Sequence, residues 1–213
     1  MENLVQEVYS AVLNGMASEV KEKVQLALDN GIEAETLLNS GLIAAMKEVG
    51  QLFEDGEYYV PEMLISARAM QSGMLILRPF LISQDIKPIG KVVIGTVKGD
   101  LHDIGKNLVS IMLEGSGFEI FDLGTDVSPE KFLEAINAHK PDIVGMSALL
   151  TTTMDNMEKI IQFLEENGAR KGVKILIGGA PISQKYADDV GADGYAPDAS
   201  QAAFIASRLI GKV

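Results

Sequence analysis

The sequence predicts an α/β protein in which a bundle of about four helices is followed by a doubly wound, five-stranded parallel sheet. Up to about residue 78, apolar residues recur at the three- and four-residue spacing of helix faces. After about residue 90, short runs rich in Val and Ile alternate with helical stretches, which is typical of a parallel sheet. We divide the 213 residues into a helical domain, 1–88, and an α/β domain, 89–213.

The helical part contains four stretches with an apolar stripe. The first dozen residues form one, and the apolar positions of the other three are Val20, Val24, Ala27 and Leu28; Leu42, Ala45, Met46 and Val49; and Met63, Ala67, Met70, Met74 and Leu77. Asn30-Gly31 is expected to end the second helix and Gly50 the third, and Pro61 suits the first turn of the fourth. Two prolines and a glycine in residues 79–90 predict a linker after it.

The α/β part contains five candidate strands separated by helices. The strands are expected at 92–97, 119–123, 143–146, 174–177 and 194–196, and the helices at 104–115, 129–138, 154–167, 182–190 and 200–210. Ser128 followed by Pro129 makes a good N-cap and first-turn pair for the second of these helices. The alternation predicts a flavodoxin-like or Rossmann-like sheet with strand order 2-1-3-4-5.

Composition narrows the chemistry that the chain can perform. Zero cysteines exclude disulfides, thiolate nucleophiles and iron–sulfur clusters, and only two histidines exclude a multi-histidine metal site. The net charge of −12 argues against nucleic acid as a partner. The N-terminus lacks the basic and then apolar pattern of a signal peptide, and the apolar stretches are too short to span a membrane. We therefore expect a soluble, cytoplasmic protein with neither nucleic-acid nor membrane partners.

Ligands of an open parallel sheet bind beyond the carboxyl ends of its strands, and the loop after the first strand contains His102. A lone loop histidine is most often simply solvated. Here, however, Asp100 could accept a hydrogen bond from one ring nitrogen, and Thr153 or Ser147 could in turn bond Asp100. One imidazole cannot hold a bare metal ion tightly, but it can supply an axial ligand to a metal held by a macrocycle. The other histidine, His139, is expected in an exposed turn.

Three short motifs and the helical part resemble a known family. The segment Asp100-Leu101-His102-Asp103-Ile104-Gly105 matches the Asp-x-His-x-x-Gly signature of cobalamin-binding domains. Ser147-Ala148-Leu149 and Gly178-Gly179 match the Ser-x-Leu and Gly-Gly elements of the same family, in order and at similar spacing. The helical part is similar to the four-helix cap of that family, through Phe53-Glu54-Asp55-Gly56, Pro61 and Ser66-Ala67-Arg68. Over nearly its whole length, the chain resembles the cobalamin-binding module of methionine synthase and the corrinoid proteins of methyltransferase systems.

The resemblance implies how a cobalamin or related corrinoid would be held. His102 would become the lower axial ligand of cobalt, with Asp100 bonded to its ring and Thr153 extending that relay. The residues that the resemblance places around the cofactor are Gly99, Asp100, Leu101, His102, Asp103, Ile104, Gly105, Ser147, Leu149, Thr151, Thr153, Gly178, Gly179, Ala180 and Ala199.

The resemblance also places the nucleotide tail and the upper face of the corrinoid. The displaced tail would run down a slot beside the first strand, where side chains at Gly178 and Gly179 would block it. The helical part would cover the upper cobalt face, and Phe53 and Leu64 either touch the cofactor there or belong to the bundle core.

The function implied by the resemblance is that of a methyl carrier without catalytic activity of its own. A substrate-specific methyltransferase would load the cobalt with a methyl group from a small one-carbon donor, such as a methylated amine, methanol, a betaine or a methoxylated compound. A second methyltransferase would pass the group to tetrahydrofolate or a thiol, and a reductive activator would maintain the corrinoid.

Three alternative functions are each distinguished from a methyl carrier by a sequence feature. A cobalamin-dependent sensor would need an output element, such as a DNA-reading helix pair. A receiver-like signalling domain would need a phosphoacceptor aspartate at the end of the third strand, where the sequence reads Gly145-Met146-Ser147. The cobalamin-binding portion of a mutase would not need the helical cap. These features favour the methyl carrier.

Overall fold

The computed structural model describes residues 2–212 of the chain. Within this range the chain forms two compact units, one of the residues up to Pro88 together with Gly115–Gly117, the other of Ile89–Glu114 and the residues from Phe118 onward. The first unit is helical and the second contains the sheet, as the sequence predicts. The division into a helical domain, 1–88, and an α/β domain, 89–213, stays a prediction.

The helical unit is built from amphipathic helices whose apolar stripes lie inside it. Its elements are α1 (Glu2–Leu13), α2 (Ala17–Asp29), α3 (Ala34–Thr36), a π-helical segment (Leu37–Ile43), α4 (Ala44–Glu54) and α5 (Val60–Ser83). The expected positions Val20, Val24 and Ala27 of α2 are fully buried, and so is Met63 of α5. At the start of α5, the Glu62 carboxylate accepts a hydrogen bond from the backbone N–H of Tyr59 at 3.0 Å.

The third predicted helix does not stop at Gly50 but continues as α4 to Glu54. A glycine inside a helix costs only about 1 kcal/mol relative to alanine. The preceding turn buries Met46 and Val49, and each such side chain contributes about 1.5–3 kcal/mol when it leaves water. Packing therefore overrides the glycine stop signal.

The fourth predicted helix continues as α5 through Pro79 to Ser83, so the predicted linker 79–90 begins too early. The helix continues because its apolar stripe does: Leu77 and Leu81 are both buried. Proline cannot donate to the carbonyl four residues earlier, which belongs to Leu75. Leu75 is 69% exposed, so water has access to this turn of the helix and can replace the missing donor.

Five parallel strands form the centre of the second unit, namely β1 (Lys91–Thr96), β2 (Glu119–Asp122), β3 (Ile143–Ser147), β4 (Lys174–Gly178) and β5 (Gly194–Ala196). Their order is β2-β1-β3-β4-β5, which confirms the predicted topology. The helices between and after them are α6 (Ile104–Gly115), α7 (Pro129–His139), α8 (Thr151–Glu166), α9 (Gln184–Asp189) and α10 (Ala199–Leu209). Val93, Val144 and Ile175 of neighbouring strands pack in one core with Phe132 and Ile160 from the helices.

Two helix starts in this unit differ from the prediction and shorten or lengthen the loops at the sheet edge. α8 begins at Thr151, three residues earlier than expected, because Leu150 is extended and its carbonyl already accepts the N–H of Met154. α9 begins at Gln184, two residues later than expected, because Ser183 caps it by accepting the N–H of Tyr186. Polar caps and extended residues set these boundaries rather than the apolar spacing.

The prediction that His139 lies in an exposed turn is wrong. His139 is the last residue of α7 and is half-buried. Its ring stacks on that of Phe121 in β2, with 3.9 Å between the ring centroids and 23° between the ring planes. Aromatic stacking of this kind favours burial of the imidazole against the sheet.

In the part of the chain that the structure describes, none of the helices has both the length and the hydropathy that crossing a bilayer requires.

Candidate functional site

The candidate site lies at the carboxyl edge of the sheet, where the loops after β1 and β3 meet. These strands are neighbours, and Thr96 at the end of β1 pairs with Ser147 at the end of β3. Their parallel direction therefore brings the loop that carries Asp100 and His102 close to the first turn of α8, which carries Thr153. The sequence predicted that these three residues would meet, and the structure brings them together.

Asp100 is the centre of the hydrogen bonds in the site. Its carboxylate is fully buried, and one oxygen, Oδ1, lies 2.6 Å from Nδ1 of His102. The other oxygen, Oδ2, accepts the hydroxyl of Thr153 at 2.7 Å and the backbone N–H of Leu149 at 2.8 Å. Of the two expected partners for Asp100, the structure selects Thr153, while Ser147 lies half-buried at the end of β3.

The charge of Asp100 is maintained by this network. Burial by itself raises the pKa of the Asp100 carboxyl, but hydrogen bonds from Thr153, from the His102 ring and from backbone N–H groups lower it, and the net pKa lies well below its usual range. A carboxylate that accepts from Nδ1 fixes the proton on that ring nitrogen. Nε2 is then the ring nitrogen with a lone pair for a metal, on a side chain that is 51% exposed.

Sequence reasoning missed two buried polar residues next to the loop that carries His102. The hydroxyl of Thr96, fully buried at the end of β1, donates to the backbone carbonyl of His102 at 2.9 Å. Lys106, buried in the first turn of α6, donates to Asp122 at 2.5 Å and to Asn107 at 2.6 Å. A threonine that ends an otherwise apolar strand is a signal that could have been read, whereas the Lys106 contact depends on β2 and has no local signal.

Exposed apolar residues lie on the same two loops as His102 and its partner Asp100. Leu101 and Ile104 on its own loop are 73% and 75% exposed, and Leu149 and Leu150 after β3 are 44% and 41% exposed. Several exposed apolar residues on adjoining loops are typical of a ligand or interaction surface. Gly105 adds room, because a Cβ built on it meets nothing within 4 Å.

The donor set fits a metal that is already held by a macrocycle. Among residues 2–212, no group of three or more Asp, Glu or His side chains converges as a bare ion requires. One oriented imidazole beside an apolar surface instead suits a flat macrocycle that fills the remaining coordination positions of its metal.

The paired glycines after β4 are explained by the protein's own backbone. Gly179 has φ +129, and a Cβ on it would overlap the carbonyl oxygen of Ala148. A Cβ on Gly178 would lie 2.9 Å from the carbonyl oxygen of Ala196. At both positions neighbouring main chain occupies the space that a Cβ would take, so the fold itself requires glycine there.

We expect Gly179→Ala to destabilise the protein by about 2–4 kcal/mol, because it combines a backbone overlap with a strained positive φ. Gly172→Ala is the matched control, since no atom lies within 4 Å of its added methyl group and its φ is not positive. Urea unfolding of the two variants measures the difference. Equal stability of both variants would contradict the close approach of Gly179 to Ala148.

The remaining residues of the α/β unit that are expected around a cofactor also lie at this edge of the sheet, with different exposure. Thr151 is exposed in the first turn of α8, Ala180 is exposed after β4, and Ala199 is buried at the start of α10. In the helical unit, Phe53 is half-buried near the end of α4, and Leu64 on α5 is 42% exposed. Contact of any of these residues with a cofactor stays a prediction.

Known proteins of one kind match this chain along nearly its whole length. Residues 90–204 and residues 4–78 each match a family described as a B12 binding domain. The chain is 38% identical over 213 residues to a corrinoid protein of Desulfitobacterium hafniense, covering 99% of both chains. It is 41% identical over 210 residues to dimethylamine corrinoid protein 3 of Methanosarcina acetivorans, covering 99% of this chain and 98% of the other.

A solved structure shows the same fold. A chain of the methanol:cobalamin methyltransferase complex from Methanosarcina barkeri superposes with a TM-score of 0.89 at 30% identity, over 100% of this chain and 81% of that chain. The predicted helical part and five-stranded sheet are thus those of a corrinoid-binding fold, and cobalamin or a related corrinoid is the cofactor. The chain belongs to the family of B12-binding corrinoid proteins of methyltransferase systems.

Proposed function

We propose that this protein carries a methyl group on a corrinoid whose cobalt is bound from below by His102. The observation that carries the proposal is the chain of hydrogen bonds from Thr153 through Asp100 to Nδ1 of His102, with lengths of 2.7 Å and 2.6 Å. Such a chain orients an imidazole and strengthens it as a metal ligand. The exposed apolar side chains around His102 supply the surface on which a corrin ring would lie.

Each residue of the relay has a separate task in this proposal. Asp100 keeps the proton on Nδ1, so that the lone pair of Nε2 is available to the metal. Thr153 and the N–H of Leu149 hold Asp100 by its second oxygen. Thr96 holds the backbone of His102, so the ring is fixed at both the main chain and the side chain.

The apolar side chains would exclude water from the side of the ring that faces the protein. Leu101, Ile104 and Leu149 are the most exposed of them. A corrinoid-bound cobalt supplies the nucleophilic methyl-accepting centre, and the protein supplies position, ligation and shielding. The nucleotide tail would run down a slot beside β1, lined by Ser147, Leu149, Thr151, Gly178, Gly179 and Ala199.

The helical unit would shield the upper side of the cofactor, with Phe53 and Leu64 as the candidate contact residues. This part of the proposal rests on the match of residues 4–78 to a B12 binding domain. It also rests on the exposure of the apolar Leu64, which leaves it outside the interior of its own unit.

Two methyltransferases and a reductive activator are the partners in this proposal, and the protein has no catalytic activity without them. A relative named for dimethylamine and a structural neighbour from a methanol system support a small one-carbon donor. Among the donors considered, a methylated amine has the stronger support because the sequence identity is higher there, 41% against 30%. The acceptor is tetrahydrofolate or a thiol, and the site of action is the cytoplasm.

The proposal is tested by methyl transfer from defined donors. The protein is loaded with hydroxocobalamin, reduced, and mixed with methyltransferases specific for dimethylamine or for methanol. We expect the visible spectrum to change to that of a methylated corrinoid only when a methyltransferase and its own donor are both present. Methylation by the donor without any methyltransferase would contradict the role of a non-catalytic carrier, and so would a lack of methylation with every pair.

A further inference from the structure

We propose that Asp126, in the loop after β2, is a positioning residue that holds Asp100 and, through it, the ring of His102. This inference rests on the proposed function in so far as it concerns cobalt ligation. The hydrogen bonds to Asp100 described above all act on its carboxylate. Asp126 acts instead on the main chain that carries Asp100, from a different loop and from the other neighbour of β1.

Asp126 makes two hydrogen bonds to consecutive residues of the β1 loop. Its carboxylate oxygen Oδ1 accepts the backbone N–H of Gly99 at 2.7 Å. Its own backbone N–H donates to the carbonyl of Asp100 at 3.0 Å. The two bonds therefore hold the peptide group before Gly99 and the peptide group after Asp100, one on each side of this pair of residues. A bond of this length between an N–H and a carboxylate belongs to the stronger, charge-assisted class.

The loop that carries Asp126 is itself fixed to the end of β1. Val97 and Val127 form a parallel β-bridge, the N–H of Val127 donates to the carbonyl of Thr96, and the N–H of Thr96 donates to the carbonyl of Gly124. Asp126 thus stands on a rigid base next to the loop it contacts.

The backbone conformation of Asp126 indicates that its side chain is needed for a specific contact. Its φ is +54, in the left-handed region where glycine is the residue without strain. Aspartate and asparagine tolerate this region better than other residues, because their short side chains can bond nearby backbone groups. Glycine at this position would relieve the strain but remove the acceptor that Gly99 uses.

The flexibility of Gly99 is the reason that the loop needs these two hydrogen bonds from Asp126. Its φ is +82, so it occupies a conformation from which a glycine can readily rotate. Rotation there would carry Asp100 with it, and Oδ1 would no longer lie 2.6 Å from Nδ1 of His102. From the opposite side, the amide of Asn156 in α8 donates to the carbonyl of Lys98 at 2.7 Å, so that the start of the same loop is also held.

Three variants separate this role from a general effect on folding. Asp126→Gly keeps the left-handed backbone and its N–H but loses the side-chain acceptor. Asp126→Asn keeps an acceptor and tolerates the same φ, so it is the conservative variant. Lys140→Gly is the matched control, because Lys140 also has a left-handed φ, +49, but ends α7 beside His139, outside the relay.

The first readout uses the protein without a corrinoid and follows the Nδ1 proton of His102 by NMR. A short bond to a carboxylate shifts this proton downfield. We expect the resonance to lie downfield in the wild type, in Asp126→Asn and in Lys140→Gly, and to move upfield or vanish by exchange in Asp126→Gly. An unchanged resonance in Asp126→Gly, or the same loss in Lys140→Gly, would overturn the inference.

The second readout uses the protein loaded with cobalamin and reduced to cobalt(II), with ¹⁵N-labelled histidine. The EPR splitting then reports the fraction of cobalt bound by a histidine nitrogen. We expect the unligated fraction to rise about fivefold in Asp126→Gly, less than the roughly tenfold to hundredfold loss typical of a group that bonds the ligand itself. It should match the wild type in Asp126→Asn and Lys140→Gly.

The two readouts distinguish the possible failures. Equal unligated fractions in Asp126→Gly and the wild type would overturn the inference while leaving His102 as the cobalt ligand. A wild type without any histidine splitting would overturn the proposed ligation, and the NMR measurement on the corrinoid-free protein would then decide alone whether Asp126 positions the relay.

Discussion

His102→Gly is expected to lose its bound corrinoid, with retention of cobalamin after gel filtration falling by at least about tenfold. Losing a group that merely orients a metal ligand already costs roughly tenfold to hundredfold in affinity, and this variant removes the ligand itself. Free imidazole should restore retention in part, since the Asp100 carboxylate would still be present to orient it. The measurement is the absorbance of corrinoid that elutes with the protein, with and without imidazole.

His139→Ala is the control for this prediction. It removes the other histidine of the chain, whose ring stacks on Phe121 at the end of α7. Its corrinoid retention should equal that of the wild type. If His102→Gly kept the wild-type retention and spectrum, or if His139→Ala lost the corrinoid equally, the assignment of His102 as cobalt ligand would be wrong.

Asp100→Asn is expected to abolish histidine ligation almost as completely, although the two side chains have nearly the same shape. Thr153 and the N–H of Leu149 both donate to Oδ2, so the amide oxygen must take that position. The amide NH₂ then faces Nδ1 of His102 and donates to it. The imidazole must respond by carrying its proton on Nε2, which removes the lone pair that the metal needs.

The same change also leaves the backbone N–H of His102 without its acceptor, Asp100 Oδ1, at 3.1 Å. We therefore expect a loss of about 1–3 kcal/mol in the free energy of unfolding, together with a roughly tenfold to hundredfold fall in corrinoid affinity. Urea unfolding and corrinoid titration measure the two effects. Asp155→Asn, at an exposed position on α8, should leave both unchanged. Wild-type affinity in Asp100→Asn would show that the carboxylate does not set the ring tautomer.

Much of the site could be predicted from the sequence because its parts lie at the ends of adjacent strands. Once the order β2-β1-β3-β4-β5 was expected, the loop with His102 and the first turn after β3 had to meet. The bonds of Asp100 to His102 and to Thr153 follow from that adjacency. The N–H of Leu149, by contrast, donates to Asp100 from the short segment before α8, and the start of that helix was expected three residues later.

The contacts made through the main chain could not be predicted in this way. Thr96 reaches the carbonyl of His102, and Asp126 reaches the N–H of Gly99, through loop conformations that no spacing rule specifies. The helix ends at Gly50 and Pro79 were misjudged for a related reason. Local breaker signals indicate a stop, while the burial that overrides them depends on distant residues.

The central claim, that a histidine of this chain binds the cobalt, is tested most directly by EPR of the wild-type protein. The protein is prepared with natural and with ¹⁵N-labelled histidine, loaded with unlabelled cobalamin and reduced to cobalt(II). The nitrogen nucleus bound to cobalt splits each line into a triplet when it is ¹⁴N and into a doublet when it is ¹⁵N. Our account predicts triplets that become doublets on labelling, and triplets that persist in the labelled protein would contradict it.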